Sequence, residues 1–460
     1  MIWDFKKYPY YLAETRQVYP DIKPGMPFLS KCSIIGNLVF VSGLNGMNLK
    51  TGSFSSIQFE HQLVNCLDNI RTALEEAGSS VSNMIKLLVF IRNIGDCPDM
   101  WRIMTDYFSK YASNLLREPP AITVIPVNAF FEIDCQIVID ALAVLDQKVP
   151  GWEVGRFPNQ HPAITHTYGN VSPDLPLFAE SVAVGNLLFL SGIGGENTET
   201  GRIETGNFEA QMDIGFEKIR VAFERAGSSV NNIIKTLHLL TGVDSILSPS
   251  YDNGVSHSPA SDRLWKRELE HYEKYAPYLL EEFPASTFLK LNSLETPGSM
   301  AAIDITGVLS LYRPGWEVRK YPLYYGKRGF PRHIGEIKKY YANTVVVGNI
   351  IFISGQTPTD QTTGRIEKDT FEEQVMVTLE NLRTAIEETG NSLSNLAKTY
   401  ILLPDVGNYS VMKRLELEYY QKYAPNLVNE PPASTLICPL NLASPKMMIE
   451  IEAIGFAPGN

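Results

Sequence analysis

Gly36-Asn37-Leu38-Val39-Phe40-Val41-Ser42-Gly43 returns as Gly185-Asn186-Leu187-Leu188-Phe189-Leu190-Ser191-Gly192 and again as Gly348-Asn349-Ile350-Ile351-Phe352-Ile353-Ser354-Gly355. The same two offsets are kept by Thr51-Gly52, Thr200-Gly201 and Thr363-Gly364, and by segments opening at Val81, Val230 and Leu393. A period this long, with several element types inside it, marks three domains rather than solenoid repeats. Later markers, Pro120-Ala121, Pro284-Ala285 and Pro432-Ala433, break the pattern. Their first offset is longer and their second shorter, so about fifteen extra residues sit in the second copy after Leu240. The segment 248–261, with Pro249, Gly254 and Pro259, reads as that insertion. The copies are placed at 1–149, 150–313 and 314–460. Their joints, Pro150-Gly151-Trp152-Glu153-Val154 and Pro314-Gly315-Trp316-Glu317-Val318, read as turns followed by anchoring aromatics, hence short, docked linkers.

Within each copy the repeated stretch is a short apolar strand closed by Ser-Gly. A helix follows the next loop. Its apolar positions are Leu63, Leu67, Ile70 and Leu74 in the first copy, Met212, Phe216, Ile219 and Phe223 in the second, and Val375, Leu379, Leu382 and Ile386 in the third. That spacing of three and four is one buried helical stripe. Gly78, Gly227 and Gly390 fit the helix stops, since glycine takes the left-handed backbone readily. A strand is predicted at 85–91, 233–240 and 396–403, and a second helix at 99–111, about 261–275 and 409–423. Two closing strands end each copy, at 122–127 and 135–144 in the first. The order β-β-α-β-α-β-β, with one weakly marked strand allowed before Gly-Asn, predicts an α+β class with helices on one face of a mixed sheet. Strands such as 85–91 are apolar over much of their length, so the other face also needs cover. Three sheets packed about one axis supply it, which predicts an intramolecular pseudo-trimer.

The chain has 460 residues, 44% hydrophobic and 20% charged, enough to fill cores without metal or disulfide staples. Its net charge of −11 and lack of basic clusters argue against nucleic acid and anionic membranes as partners. No uncharged apolar stretch approaches the length that crossing a bilayer needs, so no membrane span is expected. The N-terminus carries Asp4, Lys6 and Lys7 and does not read as a signal peptide. The five cysteines are widely spaced and form no CxxC, which predicts buried, reduced thiols and a cytoplasmic protein. The seven histidines form neither HxH nor HExxH, and there is no phosphate-cradling GxGxxG. Neither a metal nor a cofactor is expected.

Together with Thr200-Gly201-Arg202-Ile203-Glu204, Thr363-Gly364-Arg365-Ile366-Glu367, Ile234-Lys235-Thr236, Ala397-Lys398-Thr399 and Ile449-Glu450-Ile451-Glu452-Ala453-Ile454, the repeated stretch resembles the YjgF/YER057c/UK114 or RidA family of reactive-intermediate deaminases. The resemblance covers most of the chain in three fused copies. It implies a chorismate-mutase-like α+β fold, trimeric in the family and here joined in one chain, with ligand clefts between copies. It also implies hydrolysis of an imine or enamine to a carbonyl compound and ammonia, around an arginine in a Pro-Ala-Arg-Ser context that binds a carboxylate. Here that position is Ala121 or Ile122, Ser286 and Ser434, so the arginine is absent from all three copies. The family's acidic partner is kept as Glu450, while Val138 and Ala302 stand at the matching positions.

The resemblance makes Glu450 the acid–base candidate, with an interface ion pair as the plainer alternative. Ser434 and Thr435, like Ser286 and Thr287, sit where the pocket is expected, either to bind a carbonyl or amide and orient water, or to satisfy backbone near a strand start. No histidine stands at a triad spacing from these serines in the sequence. Tyr341 and Phe178 match a pocket-wall aromatic, with Leu29 in the first copy. Arg202 and Arg365 bring positive charge near a cleft or support their loops. Asp140, Asp304 and Glu452 align with one another and read as a solvated or salt-bridged face, while Lys86, Lys235 and Lys398 align at a strand start and read mainly as structural.

The expected function is a metal-free, cofactor-independent enzyme of specialised metabolism. It acts on a small nitrogen-containing metabolite by hydrolysis, deamination or cyclisation, with Glu450, Ser434 and Tyr341 in the third copy as the most intact pocket. The alternative is a non-catalytic small-ligand binder or protein-interaction scaffold. The chain is expected to be a monomeric pseudo-trimer, with further dimerisation left open.

Overall fold

The Gly-Asn stretch forms a hairpin in all three copies. In the computed structural model, which describes residues 3–10, 26–159, 175–241, 259–311, 313–323 and 341–458, Gly36, Gly185 and Gly348 have φ of 59°, 59° and 56°. They turn the strands Leu29–Ile35, Ala179–Val184 and Ala342–Val347 into Leu38–Val41, Leu187–Leu190 and Ile350–Gln356. The striped helices run over Phe59–Glu76, Phe208–Arg225 and Phe371–Glu387. Next come the central strands Ser79–Ile91, Ile233–Thr241 and Leu396–Leu402, and the second helices Cys97–Tyr111, Pro259–Tyr275 and Tyr409–Tyr423. Each copy closes on two strands: Ala121–Pro126 and Ile137–Leu145, Ala285–Leu291 and Ala301–Val308, Ala433–Ile437 and Glu450–Phe456.

One strand per copy goes beyond the expected order. Phe5–Tyr10, Val154–Pro158 and Val318–Pro322 run antiparallel to the strand before the Gly-Asn turn. They carry Lys6, Lys7, Arg156, Arg319 and Lys320 and are only partly buried, so no clean apolar alternation announces them. Residues 248–258 of the expected insertion lie outside the described part of the chain, as do His161, His166, His257 and His333, while 259–261 open the second helix of the second copy.

The three copies hydrogen-bond into one continuous mixed sheet, a β-barrel that leaves the helices outside. Each Pro-Ala pair hands over to the next copy. The Ala179 N–H donates to the Pro120 carbonyl (2.9 Å), Ala342 to Pro284 (2.9 Å) and Ser30 to Pro432 (3.1 Å), which closes the ring. Inside, Phe40, Phe189 and Phe352 share one buried cluster with Leu142, Val308 and Ile454, so each sheet covers the others' open faces. At one end Trp3, Trp152 and Trp316 meet edge to face, with ring centroids 4.9 Å, 5.1 Å and 4.8 Å apart. A Cβ on Gly36 would collide with the Trp152 indole, and one on Gly185 with that of Trp316. The turn glycine is therefore required twice, for its φ and for the indole of the following copy.

Candidate active site

Three clefts form where the penultimate strand of one copy meets the Ser-Gly strand of the next. The serine of each Ser-Gly is a clasp. Ser354 Oγ donates to the Ala342 carbonyl (2.6 Å) and accepts the Ser286 N–H (2.8 Å). Ser191 does the same between Ala179 and Ile122, and Ser42 between Ser30 and Ser434. The residues at the arginine position are thus pinned at the boundary between copies, and every cleft draws on two of them.

The cleft between the second and third copies brings together Ser286, Thr287, Tyr341, Gly355 and Glu450 around a cavity of about 20 Å³, room for roughly one water molecule. Glu450 is only 3% exposed. Burial, and then the nearby charge of Glu452, push its carboxyl up to about 8. Its Oε2 is buried without a hydrogen-bond partner. Gly355 makes room for this side chain, because a Cβ there would overlap Glu450 Oε1. Thr287 Oγ1 accepts the Gly355 N–H at 3.1 Å. Behind Ser286 stands His238, which no sequence motif singles out; its Nδ1 is 3.3 Å from Ser286 Oγ.

Ser434 and Thr435 belong to another cleft, between the third copy and the first. Ser434 is level with Thr399 and Ala453, two strands across from Glu450 and out of step with it along the sheet, since Glu450 is level with Leu402. The expected grouping of Glu450 with Ser434 therefore does not form, because each cleft takes the residue at the arginine position from one copy and the residue at the acid position from the next. Val138 of the first copy stands at the acid position here. Thr435 is engaged at every hydrogen-bonding position. It donates to Asp140 Oδ2 (2.5 Å) and accepts from Lys398 Nζ (2.8 Å) and the Gly43 N–H (2.7 Å), which fills the capacity of a hydroxyl.

The cleft between the first and second copies holds the largest described cavity, about 650 Å³. Phe178 and Arg202 line it, with Ser191, Cys97 and the Glu196–Lys218 ion pair at 2.8 Å. Ile122 and Ala302 stand at its arginine and acid positions, so it lacks the acid and hydroxyl of the Glu450 cleft. Arg202 and Arg365 are both exposed. Asp360 and Arg365 close a backbone bridge within their loop. Among the described residues no group of three His, Cys, Asp or Glu converges as for a metal ion, and no helix is long and apolar enough to cross a membrane. All five cysteines are buried and unpaired.

Comparison with known proteins gives three matches to the Endoribonuclease L-PSP family, over residues 22–145, 173–252 and 332–457. A RutC family protein of Pyrococcus abyssi is 30% identical over 126 residues, 27% of this chain and 90% of that protein. A 2-iminobutanoate/2-iminopropanoate deaminase of Dermatophagoides farinae is 29% identical over 107 residues, 23% of this chain and 81% of that protein. Among solved structures, the YjgF gene product of E. coli matches at 27% identity and a TM-score of 0.23, covering 25% of this chain and 86% of its own.

Proposed function

The chain belongs to the Endoribonuclease L-PSP family, and on that premise we propose that the cleft between its second and third copies hydrolyses or deaminates a small, uncharged nitrogen-containing metabolite without metal or cofactor. The carrying observation is Glu450, a buried carboxyl held up to about 8 with an unpartnered oxygen at the cavity that Ser286 and Thr287 also line. A carboxyl in that condition stays neutral near neutral pH and can donate its proton to an imine nitrogen or a carbonyl oxygen. The Dermatophagoides relative named for imine deamination supports the reaction class. With serine in place of the family's arginine, hydroxyls rather than a guanidinium face the substrate, which favours an imine, enamine or amide lacking a carboxylate. Tyr341 forms the wall.

A screen of imines, enamines, amides and cyclic amines with wild type and Glu450→Gln tests this reading. Turnover should fall by about 10²–10⁴ in the variant with folding unchanged. Equal turnover in both, or none from the wild type, would remove Glu450 from catalysis.

A second reading rests on the 650 Å³ cavity between the first and second copies, which is of ligand size. Its lining of Phe178, Ile193 and Ile203, with Arg202, Glu180 and the paired Glu196 and Lys218, suits a small molecule with an apolar body and a polar end. Under this reading the chain is a binder, and native mass spectrometry of the purified protein should show one discrete small molecule retained.

A further inference from the structure

We propose that Ser286, His238 and Glu268 form a nucleophilic relay, so that the Glu450 cleft proceeds through a covalent acyl-enzyme on Ser286; this rests on reading that cleft as catalytic. The strands Ile233–Thr241 and Ala285–Leu291 run parallel, with Thr236 opposite Ser286 and His238 opposite Phe288. That register places the His238 ring over Phe288, with centroids 4.4 Å apart, and turns Nδ1 toward Ser286 Oγ at 3.3 Å. On the other side His238 Nε2 is 3.3 Å from Glu268 Oε1, on the helix Pro259–Tyr275. Tyr272 Oη donates to the same carboxylate oxygen at 2.7 Å and fixes it. Thr236 Oγ1 has one proton to give and two acceptors within reach, Ser286 Oγ at 3.3 Å and the Ala285 carbonyl at 3.4 Å. With the Nε2–H tautomer, which a Glu268 carboxylate favours, Ser286 donates to Nδ1 and Nε2–H donates to Glu268, the polarity of a nucleophile, base and orienting acid. His238 is fully buried and Glu268 is 7% exposed, so the contact between them lies away from bulk solvent. Catalytic hydrogen bonds are often this long in a site without substrate and tighten when it binds.

The arrangement is confined to the second copy. At the positions of His238 and Glu268 the first copy has Val89 and Met104. The third keeps Thr399 hydrogen-bonded to Ser434 (3.0 Å) but has Ile401 for the histidine, and its Glu416 is paired with Lys413. Only the cleft that holds Glu450 also holds the relay.

For an amide substrate, Ser286 Oγ adds to the carbonyl carbon and its proton passes to His238 Nδ1. The neutral Glu450 carboxyl hydrogen-bonds the carbonyl oxygen. The carbon–nitrogen bond breaks, the imidazolium proton goes to the departing amine, and an ester on Ser286 remains. Water then adds to the ester carbon as His238 Nδ1 takes its proton, the carbon–Oγ bond breaks, and the imidazolium returns that proton to Ser286 Oγ, releasing the acid.

Methanesulfonyl fluoride, a small reagent that sulfonylates activated serines, tests the relay without any substrate. We expect a single adduct on the peptide containing Ser286. It should be absent in Ser286→Ala and slowed at least about 100-fold in His238→Gln. Glu268→Gln, which keeps size and shape, is the second variant should His238→Gln fail to fold, and slowing of the same order is expected. No adduct at Ser286, or labelling at the wild-type rate in either folded variant, overturns the relay. Glu450-dependent turnover without relay-dependent labelling sinks the relay alone, and His238-dependent labelling with turnover indifferent to Glu450 sinks the acid role alone.

Discussion

Lys398 Nζ lies 2.5 Å from Asp140 Oδ2, joining the third copy to the first in the interior of the barrel. The relationship repeats around the axis: Lys86 of the first copy pairs with Asp304 of the second, and Lys235 of the second with Glu452 of the third at 2.9 Å. Each lysine reaches the acid of the next copy rather than its own, so the ring of charges is also a register for the three sheets. Burial lowers the affinity of Lys86 and Lys398 for their protons, and the facing carboxylates oppose that.

Lys398→Met should therefore leave Asp140 buried and unpaired and cost about 3–5 kcal/mol. Lys398→Met combined with Asp140→Leu should regain most of that loss, because a matched apolar pair removes both charges. Urea unfolding of the two single variants and the double gives the coupling. Additive losses would show that the pair contributes nothing jointly.

The turn glycines carry a second prediction. Gly185→Ala meets a left-handed backbone, the Trp316 indole and the Gly151 carbonyl oxygen, whereas Gly52→Ala meets the backbone alone, with φ of 66° and nothing within 4 Å. The expected losses are about 3 kcal/mol for Gly185→Ala and about 1 kcal/mol for Gly52→Ala. Thermal melting of the two variants checks the difference, and equal losses would mean that Trp316 and the Gly151 carbonyl both give way freely.

The clasp serines carry a third. Ser354→Ala leaves the buried Ser286 N–H without its acceptor and should cost about 1–3 kcal/mol. Since the clasp also fixes the backbone that presents Ser286, sulfonylation of Ser286 should slow in a Ser354→Ala protein that remains folded. An unchanged labelling rate would show that the strand holds Ser286 without the clasp.

Much of this architecture was legible because it is written three times. Gly78, Gly227 and Gly390 mark the helix ends in the sequence, since each is fixed by local backbone geometry, whereas the turns at Gly36, Gly185 and Gly348 show there only as part of the repeated Gly-Asn stretch. The opening strands were not legible, because Val154–Pro158 and Val318–Pro322 are half-solvated and carry charge where an apolar alternation would be read. The lysine and acid positions aligned visibly, but which acid each lysine meets depends on closure of the ring. The site was legible residue by residue and not as an assembly. Glu450 and Ser286 belong to different copies, far apart in sequence, and meet only because consecutive copies interlock. His238 and Ser286 meet through the register of two parallel strands, which leaves no fixed sequence spacing to search for.

The pH dependence of stability follows from Glu450. Its folded carboxyl titrates at about 8, against an ordinary 4.5 that serves for the unfolded chain. Between these values the folded state holds a proton that the unfolded state releases, so stability falls as pH rises. The contribution is intact below about 4.5 and lost by the time pH passes 8, up to on the order of 5 kcal/mol if the site does not relax. Glu450→Gln is neutral throughout and lacks this slope. The difference in melting temperature between variant and wild type should be small at pH 5 and widen in the variant's favour toward pH 9. A difference that stays constant over this range would show that Glu450 is already ionised in the folded protein, and would remove the proton it is proposed to donate.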